Sequence, residues 1–322
     1  MKILYIGEET THNQYSKGNV PSHWFYGACE MEHDGHDVIW AQEKSNILND
    51  LKLIYKHNPD TIFIPNLNIH NHLLLLSIAR SIIRTPIYAY LHHEPKIKEG
   101  LKSKVYKYLL GGVKHLFFLS EKSMFATINA GLVEEKRCSV PGWGPDMDFY
   151  SNVEKSDNGW FVSTGKENRD FDILIDAFTK SGAPLHITTA YTHKGEDYSS
   201  LTDKCKNIPN IKVTIVDNTS ANYPMMLHEM ASAHAIVCPI LPDRLNYCVG
   251  LSTIADAEGL EKPLIITANP YHNSYRVSLS GISVSCVEDW VMAIHNIRYR
   301  EKQPTHYTMA SAYSQMKTIM EL

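Results

Sequence analysis

The amino-acid sequence predicts an α/β protein made of two parallel-sheet domains. Three observations carry this. Its 322 residues exceed the roughly 100–200 that one domain usually holds. Short β-branched or aromatic runs alternate with helical patterns, the signature of a parallel sheet covered on both faces. The alternation breaks once, at a polar stretch over residues 152–159, and then restarts.

Residues 2–6 form an apolar run ending at Gly7 and predict a buried first strand. A polar loop over 8–21 follows, then a helical pattern over 24–34 closed by Gly35. Strands are expected at 36–40, 61–65, 87–91 and 115–119, and helices at 72–83, 102–110 and 122–130, the last ending at Gly131. Beyond the polar stretch, strands are expected at 160–164, 185–190, 211–216, 235–240 and 263–267. Helices are expected at 172–181, 223–233 and 251–258. Residues 307–322 place Met309, Ala312 and Met316 on one helical face, predicting a terminal helix that packs back on a domain. The domain expectation is therefore 1–150, 151–306 and a terminal helix 307–322, two Rossmann-like units facing a cleft.

Composition narrows the partners. A hydrophobic content of 43% argues against disorder, and a formal net charge of -4 against a phosphate-neutralising nucleic-acid binder. Cys29, Cys138, Cys205, Cys238, Cys248 and Cys286 form no CxxC pair, which argues against a zinc ribbon or a disulfide scaffold and suits a reducing compartment. The N-terminal run lacks the pattern of a secretory signal, and the apolar run 73–79 is broken by Arg80 and Arg84. A cytoplasmic protein is expected, with peripheral membrane contact left open. The 17 histidines raise the question of metal or proton chemistry.

In open parallel sheets, ligands sit beyond the carboxyl ends of the strands, which singles out four loops. Gly18, after the first strand, lets backbone approach a phosphate, although no GxGxxG is present and a nicotinamide cofactor is disfavoured. His92 and His93, followed by Glu94, follow a strand and suit acid–base work or a hydroxyl contact better than a metal. Gly165, Lys166 and Arg169 precede a helix and form a cationic cradle for a diphosphate. The run through Tyr247, Cys248, Val249, Gly250, Leu251 and Ser252 opens a further helix, whose N-terminus suits a pyrophosphate, with Asp256 one turn in. Each loop also reads as ordinary structure; the pairing of the last two favours a phosphate site.

The run from Gly250 through Asp256 and Glu258 to Lys262-Pro263 resembles the donor-binding segment of the glycosyl transferases group 1 family, whose fold is of the GT-B type. Gly165 with Lys166 and Arg169 resembles that family's phosphate loop, and Pro141-Gly142-Trp143-Gly144-Pro145-Asp146 with Phe149 resembles its hinge. Gly18 with His23, and Gly35-His36-Asp37-Val38, resemble its N-terminal segment. The family's paired acids fall here on Cys248 and Asp256, and Glu261 replaces a glycine. The resemblance implies a nucleoside diphosphate sugar donor, uridine-linked, and a saccharide or lipid-linked saccharide acceptor. It gives the ribose to Asp256 and the base to the loop of Asp217 and Asn218. Tyr247, Asn246 or backbone near Gly250 would stand in for the missing acid.

Breaking the sugar–diphosphate bond leaves charge on the β-phosphate, which Lys166, Arg169 and the helix N-terminus would stabilise. No cofactor and no metal are implied; Asp146 and Asp148 are the one near match to a paired-carboxylate motif, and they lie at the hinge. Lys96, Lys98, Lys102, Lys104 and Lys107, interleaved with Tyr106 and Tyr108, read either as a surface for anionic lipid or as a solvated helix face. The other readings are a sugar-nucleotide epimerase of the same fold, a non-catalytic sugar-nucleotide-binding subunit, and a two-domain solute-binding protein, which the missing signal disfavours.

Overall fold

The computed structural model describes residues 1–7, 9–41, 47–69, 71–72, 75–78, 84–93, 95, 100–193, 196–272, 281–297 and 307–322. Glu94, Lys96, Lys98 and positions 73–74 and 79–83 of the helix expected at 72–83 lie outside them. Chain contacts divide the protein into one unit of Met1–Gly144 with Tyr307–Leu322, and a second of Pro145–His306. Pro145 through Tyr150 thus belongs with the second unit.

The first unit is built on β1 (Lys2–Tyr5), β2 (Asp37–Trp40), β3 (Thr61–Ile64), β4 (Ile87–Leu91), β5 (His115–Phe118) and β6 (Cys138–Ser139). They pair in the order β2-β1-β3-β4-β5-β6, every pair parallel. Strand period sorts the side chains. Leu4, Ile62, Ile64, Ala89, Leu91, Leu116 and Phe118 form an apolar core on one face. Tyr5, Phe63, Tyr90 and Phe117 meet as rings on the other.

The terminal helix Met309–Met320 reaches this aromatic side. The Tyr90 hydroxyl donates to Met316 Sδ at 3.2 Å, and Tyr313 Oη and Lys317 Nζ donate to Asp34 at 2.7 and 2.6 Å. Thr308 and Ser311 form a capping box that starts the helix. Chain crossing at Gly144 is close: a Cβ there would lie 2.0 Å from the Tyr307 carbonyl oxygen.

Two local departures from the sequence pattern have clear causes. Residues 8–21, read as loop, contain the helix Glu9–Tyr15. It is held by side-chain chemistry rather than by an apolar stripe: His12 stacks on Trp40 at 3.8 Å and pairs with Glu32 at 3.2 Å. The single helix expected over 24–34 is instead a 3-10 turn, Ser22–Phe25, and a helix, Ala28–His33, because Tyr26 and Gly27 take left-handed φ values of 54° and 97°.

The second unit contains β7 (Phe161–Thr164), β8 (Leu185–Ala190), a small hairpin of β9 (Thr192–His193) and β10 (Glu196–Asp197), β11 (Ile211–Val216), β12 (Ala235–Cys238), β13 (Leu264–Thr267) and β14 (Gly281–Val284). The main sheet runs β11-β8-β7-β12-β13-β14, again all parallel. One face packs Phe161, Leu185, Ile187, Ala235 and Val237 against Leu174 and Phe178 of the helix Phe171–Ser181 and Trp290 of the helix Val287–Asn296. Numbered within the unit, the order is 3-2-1-4-5-6, that of a dinucleotide-binding sheet, whose direction reverses between its first and fourth strands. Here those are β7 and β12, so the loops after them flank the crevice where such sheets bind ligands.

Candidate functional site

The loop after β7 begins at Gly165, whose φ is +102°. That φ favours glycine, and a Cβ there would stand 2.7 Å from Arg169 Nη2 and push the guanidinium aside. Asp170 closes the loop by capping the helix Phe171–Ser181, its Oδ1 accepting from Ile173 N at 3.2 Å. The loop is tied to its neighbour after β12: Asp170 N donates to Pro239 O at 3.3 Å and Leu241 N to Asn168 O at 2.9 Å.

Arg169 lies at the centre of this junction and is only 6% exposed. Its Nη2 donates to Thr253 Oγ1 at 3.1 Å and its Nη1 to Glu167 O at 3.3 Å. Its buried Nε has no hydrogen-bond partner among the described residues. No described carboxylate pairs with it either, within 4.0 Å. Desolvating an ion costs several kcal/mol unless a counter-charge is supplied, which makes this guanidinium a candidate to receive an anion.

Thr253 belongs to the helix Leu251–Gly259, which opens at Gly250 with φ of 86° and no side-chain cap. A Cβ on Gly250 would press on Ile240 Cδ1 at 2.9 Å. Before it, Asn246 Oδ1 accepts from Cys248 N and Val249 N at 3.0 and 3.3 Å. Asn269 Nδ2 donates to Asn246 O at 2.9 Å and His272 Nε2 meets Tyr247 O at 2.8 Å. Tyr247 and Val249 are buried, Leu251 is buried, Cys248 is half-buried and Ser252 is exposed. The uncapped first turn therefore leaves backbone N–H groups and the positive end of the helix dipole beside Arg169's partner Thr253.

Lys166 and Asn218, singled out separately in the sequence, come together: Lys166 Nζ donates to Asn218 Oδ1. The Lys166 carbonyl accepts from Tyr198 Oη at 2.8 Å. Asp217 is exposed, and its carbonyl accepts from Thr219 N at 2.9 Å and Asn222 Nδ2 at 2.7 Å.

Asp256 is buried one turn into the helix. Its Oδ1 accepts hydroxyls from Tyr150 and Tyr223, each at 2.6 Å, and burial pushes its pKa up to about 6 against the pull of those two donors. The carboxylate to which the resemblance gives a ribose thus already holds two phenols. Tyr150 also packs on Gly259, where a Cβ would meet Tyr150 Cδ2 at 2.1 Å.

The remaining candidates lie in the first unit. His92 follows β4, with its ring 5.0 Å from Tyr26. Burial, helped by the neighbouring His93, lowers its pKa to about 4, so it is a neutral ring at pH 7. His93 is exposed. His23 is fully buried, its carbonyl accepting Trp143 Nε1 at 2.8 Å. Gly18 has φ of +73° with open space around it, and its N–H donates to Tyr15 O at 2.7 Å, closing the helix Glu9–Tyr15.

Sequence reasoning did not single out Thr253, Tyr150 or Tyr223. Thr253 had a usable signal, since it lies in the first turn of a helix already chosen; the tyrosines become visible only when the chain folds. Among the described residues no group of three or more His, Cys, Asp or Glu is placed to hold a metal, and no helix is long and apolar enough to cross a membrane.

No family model and no curated protein matches the sequence. Solved structures do match. A UDP-GlcNAc 2-epimerase from Neisseria meningitidis, bound to UDP-GlcNAc, aligns over 100% of both chains at 11% identity and a TM-score of 0.58. A glycosyltransferase involved in avilamycin A biosynthesis aligns over 100% of this chain and 96% of its own, at 10% identity and 0.60. A UDP-forming α,α-trehalose-phosphate synthase from Burkholderia vietnamiensis aligns over 99% and 96%, at 8% identity and 0.64. The two parallel-sheet α/β domains of this chain are accordingly those of the GT-B fold.

Proposed function

We propose that the protein is a glycosyltransferase that moves a sugar from a nucleoside diphosphate, uridine-linked, to a saccharide or lipid-linked saccharide acceptor. One observation carries the reading: a buried guanidinium without a carboxylate partner among the described residues, Arg169, beside the uncapped start of the Leu251–Gly259 helix at the β7–β12 crevice. A diphosphate supplies the charge that this arrangement lacks.

The second unit is then the donor domain and the first the acceptor domain. As the sugar–phosphate bond breaks, the electron pair stays on the leaving β-phosphate oxygen. Arg169, Lys166 and the backbone N–H of Ser252 in the helix's first turn stabilise that charge more than they stabilise the intact donor, which lowers the barrier. Gly165 keeps the guanidinium's space clear. Asp217 and Asn218 take the base. Asp256, through its two tyrosines, positions the helix that carries Thr253. The exposed His93 takes the acceptor hydroxyl's proton, while His92, held neutral by burial with a pKa of about 4, is suited to a hydrogen bond with a sugar hydroxyl. No metal has a step to perform in this scheme, and cationic side chains fill the role a metal would have.

The likeness to a UDP-GlcNAc 2-epimerase over the full length of both chains favours one second reading, a sugar-nucleotide epimerase. The test is to incubate the protein with nucleotide sugars in EDTA, with and without saccharide acceptors. Acceptor-dependent release of nucleoside diphosphate supports the transferase. Interconversion of donor sugars without acceptor supports the epimerase, and binding without turnover supports a non-catalytic subunit.

A further inference from the structure

The sheet of the second unit gathers polar groups at a second place, toward the amino ends of its strands and away from Arg169. Two rows of residues run in register across three strands. Val162, His186 and Lys212 form one; Thr164, Thr188 and Thr214 form the next. Alternate residues of the same strands, among them Leu185, Ile187, Ile211 and Val213, turn to the apolar core. Over the polar face lies the helix Tyr223–Ser232, whose Glu229 accepts the Thr188 hydroxyl at Oε2, 2.7 Å away.

A cavity of about 320 Å³ opens there, lined by Asn158, Trp160, His186, Lys212, Glu229 and Ser232. Its polar groups are half satisfied. His186 Nε2 meets Thr214 Oγ1 at 2.8 Å, but His186 Nδ1 and Glu229 Oε1 stand 3.7 Å apart, beyond hydrogen-bond reach. Neither atom hydrogen-bonds another described side chain, so each can bond a ligand that enters the cavity.

Charge narrows what that is. Glu229 repels an anion and Lys212 repels a cation, so a neutral ligand is favoured. Asn158, Ser232, Glu229 and Lys212 together offer both donors and acceptors, and Trp160 adds an apolar ring. The volume is at the lower end of the roughly 300–1,000 Å³ of small-molecule sites, suited to one ring and too small for a nucleoside diphosphate sugar. We infer that this cavity binds a single neutral polyhydroxylated ring, a monosaccharide in class, at a site separate from the β7–β12 loops. The helix above it carries Glu229 at one end and Tyr223, the partner of Asp256, at the other, so occupancy has a physical route to the first turn of the Leu251–Gly259 helix. The inference stands on this cavity alone and does not depend on the transferase reading.

Calorimetric titration of the whole protein with free glucose, galactose, mannose and N-acetylglucosamine tests it. At least one of these sugars should bind. Trp160→Leu and Glu229→Gln should each weaken it about tenfold, roughly 1.4 kcal/mol. Lys212 is exposed, so Lys212→Met keeps the fold intact and should weaken binding in the same direction. Arg169→Ala should bind the sugar as the wild type does. Failure of all four sugars to bind overturns the inference. Binding that is indifferent to Lys212→Met and Trp160→Leu, or is lost in Arg169→Ala, overturns it as well.

Discussion

At Arg169 the chemistry turns on what is missing around a charge. Its Nη groups reach Thr253 Oγ1 and Glu167 O, both neutral, while Nε stays buried and unmatched among the described residues. Arg169→Ala should remove about 1.5–3 kcal/mol of charge-assisted bonding to a diphosphate, read as a fall in nucleoside diphosphate affinity and turnover with little loss of fold. Gly165→Ala should act through the same group: a Cβ at 2.7 Å from Nη2 and a φ of +102° both displace the guanidinium, so turnover falls although no donor contact is deleted. Asp256 gives a prediction with a sign in pH. Its pKa is raised from 3.8 to about 6 on folding, so the native state holds the extra proton between those values. Stability therefore falls as pH rises through that window and stays lower above it. Asp256→Asn keeps an oxygen to accept the Tyr150 and Tyr223 hydroxyls without the buried charge. It should match the wild type near pH 4 and exceed it by up to about 3 kcal/mol at pH 7, measured by chemical denaturation at both pH values.

Elements were legible in the sequence where one kind of period ruled them. The runs at β1, β3, β4 and β7 are short, apolar and bounded by turn residues, and they form strands. Legibility failed where a helix rests on polar or aromatic contacts, as with Glu9–Tyr15 and its His12–Trp40 stack, or where a non-glycine residue takes a left-handed φ, as Tyr26 does. Of the candidate site, the glycines and cations could be read because loops after strands are few. Thr253 and the Tyr150–Asp256–Tyr223 cluster could not, because they join residues far apart in the chain. Two elements carry predictions of their own. Met316 is fully buried in the terminal helix and receives the Tyr90 hydroxyl; Met316→Ala should cost about 2–5 kcal/mol, read as a lower denaturation midpoint. In the helix Leu101–Leu110, Leu101, Val105 and Tyr108 are 79%, 42% and 47% exposed on one face, flanked by Lys102, Lys104 and Lys107. Peripheral membrane contact, left open by the sequence, would fall on this face. Sedimentation with anionic vesicles should carry the protein down at low salt, with neutral vesicles much less, and Leu101→Ser combined with Val105→Ser should abolish it.

On the scale of the whole molecule, two sheets of six parallel strands account for the fold, and strand order accounts for where the second sheet holds its charge. Among the described residues the histidines do not gather at one place: His23 and His92 lie in the first unit, His186 and His272 in the second, each with its own partners. A chain of net charge -4 still presents a guanidinium and a helix N-terminus at one crevice, which bulk charge does not reveal. We propose that this crevice takes a nucleoside diphosphate through Arg169 without a metal. Titration of uridine diphosphate into wild type and Arg169→Ala, both in EDTA, tests it most directly. Saturable binding to the wild type is expected, weakened about tenfold to a hundredfold in the variant. Equal affinity in the two proteins, or binding that appears only when a divalent metal is restored, would contradict it.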